Sequence, residues 1–124
     1  GLTVIGTASS AEGKQLVKEQ GADFVFDHTE EKYLRQILEA TDRKGVDVIL
    51  EMLANVNLVK DFEVLAKYGR IVIIGNRGSL DFNPRLTMGK DATLYGMALF
   101  NFSNEEEAEI HEKIYEGLSK GYLN

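Results

Sequence analysis

The chain of 124 residues has no cysteine and no tryptophan, and its one proline is Pro84. Without cysteine it can form neither a disulfide framework nor a thiolate zinc site, and it fits a reducing compartment such as the cytoplasm. No run of about 18 apolar residues occurs, so no membrane-spanning helix and no membrane partner are predicted. Lys and Arg number 14 against 20 Asp and Glu. The resulting net charge of −6 argues against general affinity for nucleic acid.

The rest of the composition is that of one folded domain. The chain is 44% apolar and 27% charged, and it is long enough to bury one hydrophobic core but not two. Short runs rich in β-branched and aromatic residues alternate with stretches of helical period. Five such runs are predicted to be strands: residues 2–7, 24–26, 46–51, 70–75 and 93–99.

These runs are apolar on both faces, as expected of parallel strands covered by helices on both sides. The repeated order of strand and helix implies right-handed crossovers between parallel strands. The sequence therefore predicts an α/β fold with a doubly wound parallel sheet.

Capping residues mark the first and last of four predicted helices. Ser9 and Glu12 have the spacing of a capping box, which predicts a helix over residues 10–20 that ends at Gly21. The last helix begins with a second box, Ser103 and Glu106, and ends by Gly121. Its predicted buried stripe consists of Ile110, Ile114 and Leu118.

The two middle helices are predicted from apolar residues at helical spacing. One covers residues 30–40, and the other begins near Asn57 and stops at Gly69. The apolar residues of the first are Tyr33, Leu34, Ile37 and Leu38, and those of the second are Leu58, Phe62, Leu65 and Ala66. Residues 76–91 have no clear period and are predicted to be a long loop, a kind of segment that often carries function.

Residues that follow strands are the first candidates for a site, because ligands of doubly wound sheets bind beyond the carboxyl ends of the strands. Ser9 and Ser10 offer hydroxyl and backbone N–H groups to an anion, or act as a plain helix cap. Gly75 lets a ligand approach the backbone, or serves a turn with positive φ. Arg77 beside it matches a phosphate, although lone surface arginines are common.

Other polar residues also allow two interpretations. His28 could donate a hydrogen bond to a ribose or adenine, or lie in a solvated turn. Asn55 and Asn57 could bind a carboxamide or hydroxyl, although Asn57 is also a good helix cap. Glu51 ends a strand, but no residue has the spacing of a catalytic partner, a metal cluster or a triad. No glycine-rich G-x-G-x-x-G loop follows any strand, and a complete dinucleotide site needs one.

One segment points to a family. Residues 51–58, EMLANVNL, resemble the corresponding run of zeta-crystallin-like quinone reductases in the medium-chain dehydrogenase/reductase superfamily. Shorter matches follow the same order along the whole chain: Gly6-Thr7-Ala8, Gly21-Ala22, Phe26 with His28, Gly69-Arg70, Gly75 with Arg77-Gly78, Asn83-Pro84-Arg85 and Thr87-Met88.

The resemblance implies an NADPH-dependent oxidoreductase that transfers hydride to a quinone and needs no zinc. Such enzymes combine a Rossmann cofactor domain with a GroES-like domain. Residues 1–124 would then form one partial nucleotide-binding domain that starts at the second Rossmann strand. The first strand, the glycine-rich turn and the GroES-like catalytic domain would be missing, and the chain is expected to be inactive alone.

The resemblance also implies cofactor contacts, with the last three near the nicotinamide: Ser9, His28, Asn57, Ile74, Gly75, Asn76, Arg77, Met97, Ala98 and Leu99. It implies no catalytic acid or base. The family often has glycine in place of Ser9 and serine in place of Asn76. NADPH is favoured over NADH because the hydroxyls after the first strand, with Lys14 one turn on, would accept a 2′-phosphate that a carboxylate there would repel.

Two other classes of function agree less well with the sequence. A non-catalytic role, as an AU-rich RNA binder or a structural lens protein, is known among zeta-crystallin-like proteins, but the acidic balance disfavours RNA. A phosphoacceptor signalling domain needs clustered acids after its first strand, and Ser9 and Ser10 do not supply them. The last strand would lie at a sheet edge and is expected to mediate a homo-oligomer.

Overall fold

Strands and helices alternate along residues 1–123, the part of the chain that a computed structural model describes. The strands are β1 (Ile5–Thr7), β2 (Phe24–Phe26), β3 (Val46–Glu51), β4 (Leu65–Ile73) and β5 (Thr93–Gly96). The helices are α1 (Ala11–Glu19), α2 (Tyr33–Ala40), α3 (Ala54–Val64), α4 (Arg85–Lys90) and α5 (Asn104–Lys120), with a 3-10 turn at Leu99–Asn101.

All strand pairs are parallel, which confirms the predicted α/β class. They form two sheets, one of β1 and β2 and one in the order β3-β4-β5. In the second sheet Glu51 pairs with Ile73, and Ile73 pairs with Gly96. Helix α2 contacts both β2 and α3 and so links the two sheets. Within residues 1–123, β1 and β3 each keep one edge unpaired.

The core lies between one face of the β3-β4-β5 sheet and helix α3. Leu58 and Phe62 lie one helical turn apart on α3 and pack with Leu65 and Ile71, both fully buried in β4. The ring of Phe62 also contacts that of Phe82, with centroids 5.7 Å apart. Burial of this apolar surface is the main stabilising contribution to the fold.

The opposite face of this sheet remains open within residues 1–123. Val48 and Leu50 alternate with the core-facing residues of β3, and Leu50 is 65% exposed. Apolar residues therefore lie on both faces of β3, as the sequence predicted, but the described residues cover only one face.

Several predicted boundaries are wrong by a few residues. Ser10, not Ser9, caps α1, because its extended backbone places Oγ 3.0 Å from the Gly13 N–H. Helix α3 begins at Ala54, not near Asn57. It ends at Val64, because Leu65 turns extended and pairs with Val46 in β3.

Gly69 is therefore not a helix stop but part of β4. There a Cβ would lie 2.6 Å from Cγ of Leu65 and 2.8 Å from the carbonyl oxygen of Ala66, so close packing requires glycine. Leu65 and Ala66 are buried as predicted, although they belong to the strand. Over so short a stretch, the burial of Leu65 and Ala66 fits both a helical and an extended conformation. Their burial therefore does not reveal where the helix ends.

The boundaries of other strands and helices also differ from the prediction. The first strand begins at Ile5, the second helix at Tyr33, and the last strand ends at Gly96. The predicted long loop contains α4, which is too short for a visible period and begins after Pro84, whose φ of −57° suits a helix start.

Helix α5 has the predicted capping box and ends at Gly121. Ser103 Oγ accepts from the Glu106 N–H, and the Glu106 carboxylate accepts from the Ser103 N–H. The predicted burial of its stripe is wrong, since Ile110, Ile114 and Leu118 are 36%, 44% and 53% exposed. No sheet face is packed over the stripe within residues 1–123.

Candidate functional site

The carboxyl ends of β3, β4 and β5 lie side by side and bring three predicted segments together. The Met97 N–H donates to the carbonyl of Ile73 at 3.1 Å, which fixes the segment after β5 beside the end of β4. The N–H groups of Ile74 and Gly75 donate to the carbonyl of Glu51 at 2.9 and 3.1 Å. Parallel pairing thus places residues 51–57, 74–77 and 97–99 at the same end of the sheet, beyond the carboxyl ends of its strands.

The turn after β4 needs glycine because of a backbone crossing. A Cβ on Gly75 would overlap the carbonyl oxygen of Met52, while its φ is not positive. Of the two interpretations of this glycine, the turn with positive φ is therefore wrong, and the close neighbour is the chain itself. The Ala54 N–H donates to the Gly75 carbonyl at 3.0 Å and closes the crossing.

Asparagines hold the rest of this turn. Asn55 Oδ1 accepts from the Arg77 N–H at 2.9 Å, and Asn76 Nδ2 donates to the Gly78 carbonyl at 2.7 Å. The Arg77 side chain is exposed and forms no salt bridge within residues 1–123. Its guanidinium group is therefore available to an anion.

Asn57 lies in the first half of α3 and is not its cap. The cap position is Leu53, whose side chain cannot accept a hydrogen bond. The Glu51 carboxylate substitutes for a capping side chain, because Oε1 accepts from the Leu53 N–H and from Asn57 Nδ2, the latter at 3.2 Å. Asn57 is half-buried, and its amide is oriented by this bond.

Glu51 faces a second buried carboxyl group, that of Asp61. Glu51 and Asp61 are only 5% and 9% exposed. Burial, the charge of Glu51 and a hydrogen bond with its side chain raise the pKa of Asp61 to about 8. Oδ2 of Asp61 has no hydrogen-bond partner within residues 1–123. With its pKa raised in this way, the Asp61 carboxyl group keeps its proton at neutral pH.

Ser9 and His28 lie together at the other sheet. Thr7 pairs with Phe26, and the Ala8 N–H donates to the Phe26 carbonyl at 3.1 Å, so the two following turns are neighbours. Both side chains are exposed. Because Ser10 serves as the cap, the hydroxyl of Ser9 is not used in capping α1.

Lys14 is engaged in an ion pair with Asp27, a residue that the sequence analysis did not single out. Lys14 Nζ lies 2.8 Å from Asp27 Oδ2, and Thr29 donates to Oδ1 from its hydroxyl and its N–H. The Lys14 ammonium and the two Thr29 bonds hold the pKa of Asp27 well below its usual range. The hydrogen bond that the Lys14 ammonium donates to the Asp27 carboxylate raises the pKa of Lys14. An anion beside Ser9 would share Lys14 with this carboxylate.

The segment after β5 is the most open part of the predicted site. Met97 and Ala98 are half-buried, and Leu99, at the start of the 3-10 turn, is 68% exposed. The ten predicted residues thus fall into two groups. Ser9 and His28 belong to the β1-β2 sheet, and Asn57, residues 74–77 and residues 97–99 belong to the β3-β4-β5 sheet.

The comparisons with known proteins decide the family. A family model described as zinc-binding dehydrogenase matches residues 1–114. The chain belongs to that family. Within residues 1–123, no three His, Cys, Asp or Glu side chains gather in a way that could hold a metal ion, so the described residues do not fit zinc. None of the helices in this range is long and apolar enough to cross a membrane.

The curated relatives agree with the predicted resemblance to quinone reductases. The quinone oxidoreductase of Rattus norvegicus is 45% identical over 123 residues, which are 99% of this chain and 37% of the relative. The chain therefore spans well under half of the length of that relative.

Solved structures confirm the Rossmann-like arrangement. The Pseudomonas syringae pv. Tomato DC3000 quinone oxidoreductase superposes with a TM-score of 0.88 at 24% identity, over 98% of this chain and 39% of that one. The Escherichia coli quinone oxidoreductase complexed with NADPH gives a TM-score of 0.87 at 22% identity, over the same shares of the two chains. At these identities the likeness establishes the fold alone.

Proposed function

We propose that this chain is the NADPH-binding part of a quinone oxidoreductase. The observation that carries the proposal is the 45% identity to the rat quinone oxidoreductase over practically the whole chain. The bound cofactor would supply a hydride for transfer to a quinone, which is chemistry of the cofactor rather than of a protein acid. No residue is assigned as a catalytic acid or base.

The residues at the strand ends would bind different parts of the cofactor. Ser9 and His28, on the β1-β2 sheet, would contact the adenosine end of the cofactor. Asn57 and the turn Ile74, Gly75, Asn76 and Arg77 would bind its central part, with the exposed guanidinium of Arg77 facing phosphate. Met97, Ala98 and Leu99 would lie near the nicotinamide, where their apolar side chains exclude water.

NADPH rather than NADH is proposed from the charges after β1. The turn contains hydroxyls and no carboxylate, so it does not repel a 2′-phosphate. Asp27 is the nearby acid, and its ion pair with Lys14 offsets its charge. The NADPH complex of the Escherichia coli structural neighbour is consistent with this choice.

We also propose that residues 1–124 are one partial domain, completed elsewhere by a further strand, a glycine-rich turn and a GroES-like catalytic domain. Three features support the proposal: the unpaired edges of β1 and β3, the open apolar face of β3, and the exposed stripe of α5. Without those parts, the chain alone would not turn over a quinone. A cytoplasmic location stays a prediction.

Self-association through β5 is proposed as well, because one edge of β5 is unpaired within residues 1–123. A compact monomer in size-exclusion chromatography at high protein concentration would contradict it. The alternatives of AU-rich RNA binding and of a structural lens role have no supporting observation in the described residues.

The proposed function is tested by titrating the chain with NADPH and NADH in a calorimeter. Saturable binding of NADPH, tighter than that of NADH, is expected. Ser9→Asp should reverse the preference, because a carboxylate there repels the 2′-phosphate. Ser79→Asp, at an exposed position outside the proposed site, is the matched control. Equal binding of both nucleotides by the unsubstituted chain would refute the cofactor choice.

A further inference from the structure

Glu51 contacts both halves of the site on the β3-β4-β5 sheet. Its backbone carbonyl accepts the N–H groups of Ile74 and Gly75 at 2.9 and 3.1 Å. Its carboxylate accepts the Leu53 N–H and Asn57 Nδ2. One residue thus fixes the turn after β4 through its main chain and the start of α3 through its side chain.

The position of this carboxylate is unusual for a structural glutamate. Glu51 is 5% exposed and has no salt bridge within residues 1–123, and a buried carboxylate without a cation is costly. The fold places it against a second buried carboxyl group, Asp61, one turn beyond Asn57 on α3.

We propose that Glu51 is a positioning residue of the cofactor site, holding the Asn57 amide and the 74–77 turn in one arrangement. The inference rests on the proposed function, since Asn57 and the turn are its proposed cofactor contacts. Glu51 touches no ligand itself and acts through these two neighbours.

The arrangement determines how Asn57 is presented. A neutral amide can rotate so that either its oxygen or its nitrogen faces a ligand. Because Nδ2 donates to Glu51, Oδ1 is left as the free acceptor. The site therefore presents an acceptor to a ligand N–H or O–H group at this point, which suits a hydroxyl or carboxamide and disfavours a phosphate oxygen.

The test combines two measurements on the chain with Glu51→Ala, Glu51→Gln and the control Glu63→Ala, which replaces an exposed glutamate of α3. Nuclear magnetic resonance follows the side-chain amide protons of Asn57, and calorimetry gives the Kd for NADPH. In the unsubstituted chain and in Glu63→Ala, one Asn57 proton should be shifted and protected from exchange. Glu51→Ala should abolish both properties, and Glu51→Gln, whose Oε1 still accepts, should retain them.

The affinity for NADPH should follow the same order, falling about tenfold in Glu51→Ala and less than about twofold in Glu51→Gln. A merely structural glutamate would change the unfolding midpoint without changing the Asn57 signals. If Glu51→Ala does not fold, Glu51→Asp, which withdraws the carboxylate by one methylene, replaces it with the same expected results.

The outcomes separate the two proposals. Unchanged Asn57 signals in Glu51→Ala or Glu51→Asp would overturn the positioning role, whether or not NADPH binds. Absence of NADPH binding to the unsubstituted chain would count against the proposed cofactor site, while the Asn57 signals would still decide the inference. Equal Kd values for the unsubstituted chain and Glu51→Ala would also overturn it.

Discussion

Replacing Asp61 with asparagine should remove a strong pH dependence of stability. The pKa of Asp61 is raised to about 8 in the folded chain, whereas its usual value is 3.8. Protonation is therefore favoured by folding, and its contribution to stability is fully present below pH about 4 and is lost as pH rises towards about 8. Asparagine is neutral throughout this window and can still donate to Glu51.

The magnitude follows from the titration of one proton. Between pH about 5 and about 7 the unfolded chain has lost this proton and the folded chain has kept it, so stability falls by about 1.4 kcal/mol per pH unit. The difference in free energy of unfolding between Asp61→Asn and the unsubstituted chain should thus grow by about 3 kcal/mol over these two units. The low pKa of Asp27 places its own contribution at more acidic pH, outside this window.

Urea unfolding at pH 5, 6 and 7 measures this difference. Asp47→Asn makes the same chemical change at an exposed position and should leave the pH dependence as it is. Parallel stability curves for the unsubstituted chain and Asp61→Asn would refute the reasoning, because they would mean that Asp61 is ionised in both states.

Three further predictions concern the fold. Gly75→Ala should lower stability by more than about 1 kcal/mol, since its Cβ overlaps the Met52 carbonyl, whereas Gly78→Ala, 3.6 Å from its nearest neighbour, should change urea unfolding little. Phe62→Ala should cost about 3–5 kcal/mol in the same assay because the ring is 3% exposed; a loss under 1 kcal/mol would contradict the core assignment. Ser103→Ala should reduce helical circular dichroism and cost about 1 kcal/mol by opening the α5 capping box, and an unchanged melt would argue against the box.

Local sequence patterns predicted most elements, because short parallel strands and capping residues leave clear signals. The predicted spans of β2 and β3 match the structure, and the predicted helix over residues 10–20 coincides with α1 and its flanking caps Ser10 and Gln20, although Ser9 was the predicted cap. The start of α3 could not be predicted in the same way. Asn57 is the better cap by residue type, but the acceptor comes from Glu51, which precedes the helix in the chain.

The candidate site shows the same limit. Parallel topology predicts that the carboxyl ends of neighbouring strands lie side by side. Three predicted segments do meet at the carboxyl end of the β3-β4-β5 sheet. The Lys14–Asp27 pair depends on how α1 packs against β2, which no local period encodes. The sequence contains one weak signal for a structural role of Asp27. Asp27 and Thr29 have the spacing of a turn in which the carboxylate accepts the N–H two residues further along the chain.

The division into two sheets should make the chain open in two stages rather than one. Before residue 33, Ala22 is the only buried residue, at 6% exposure, whereas β4 contains Leu65 and Ile71 at 0% exposure. Amide protons of β1 and β2 should therefore exchange with solvent through local opening, at a low free energy. Those of β4 should exchange only when the whole chain unfolds. Of the two groups of proposed contacts, Ser9 and His28 thus lie on the less stable sheet, that of β1 and β2. A ligand that contacts both groups would slow amide exchange most in β1 and β2.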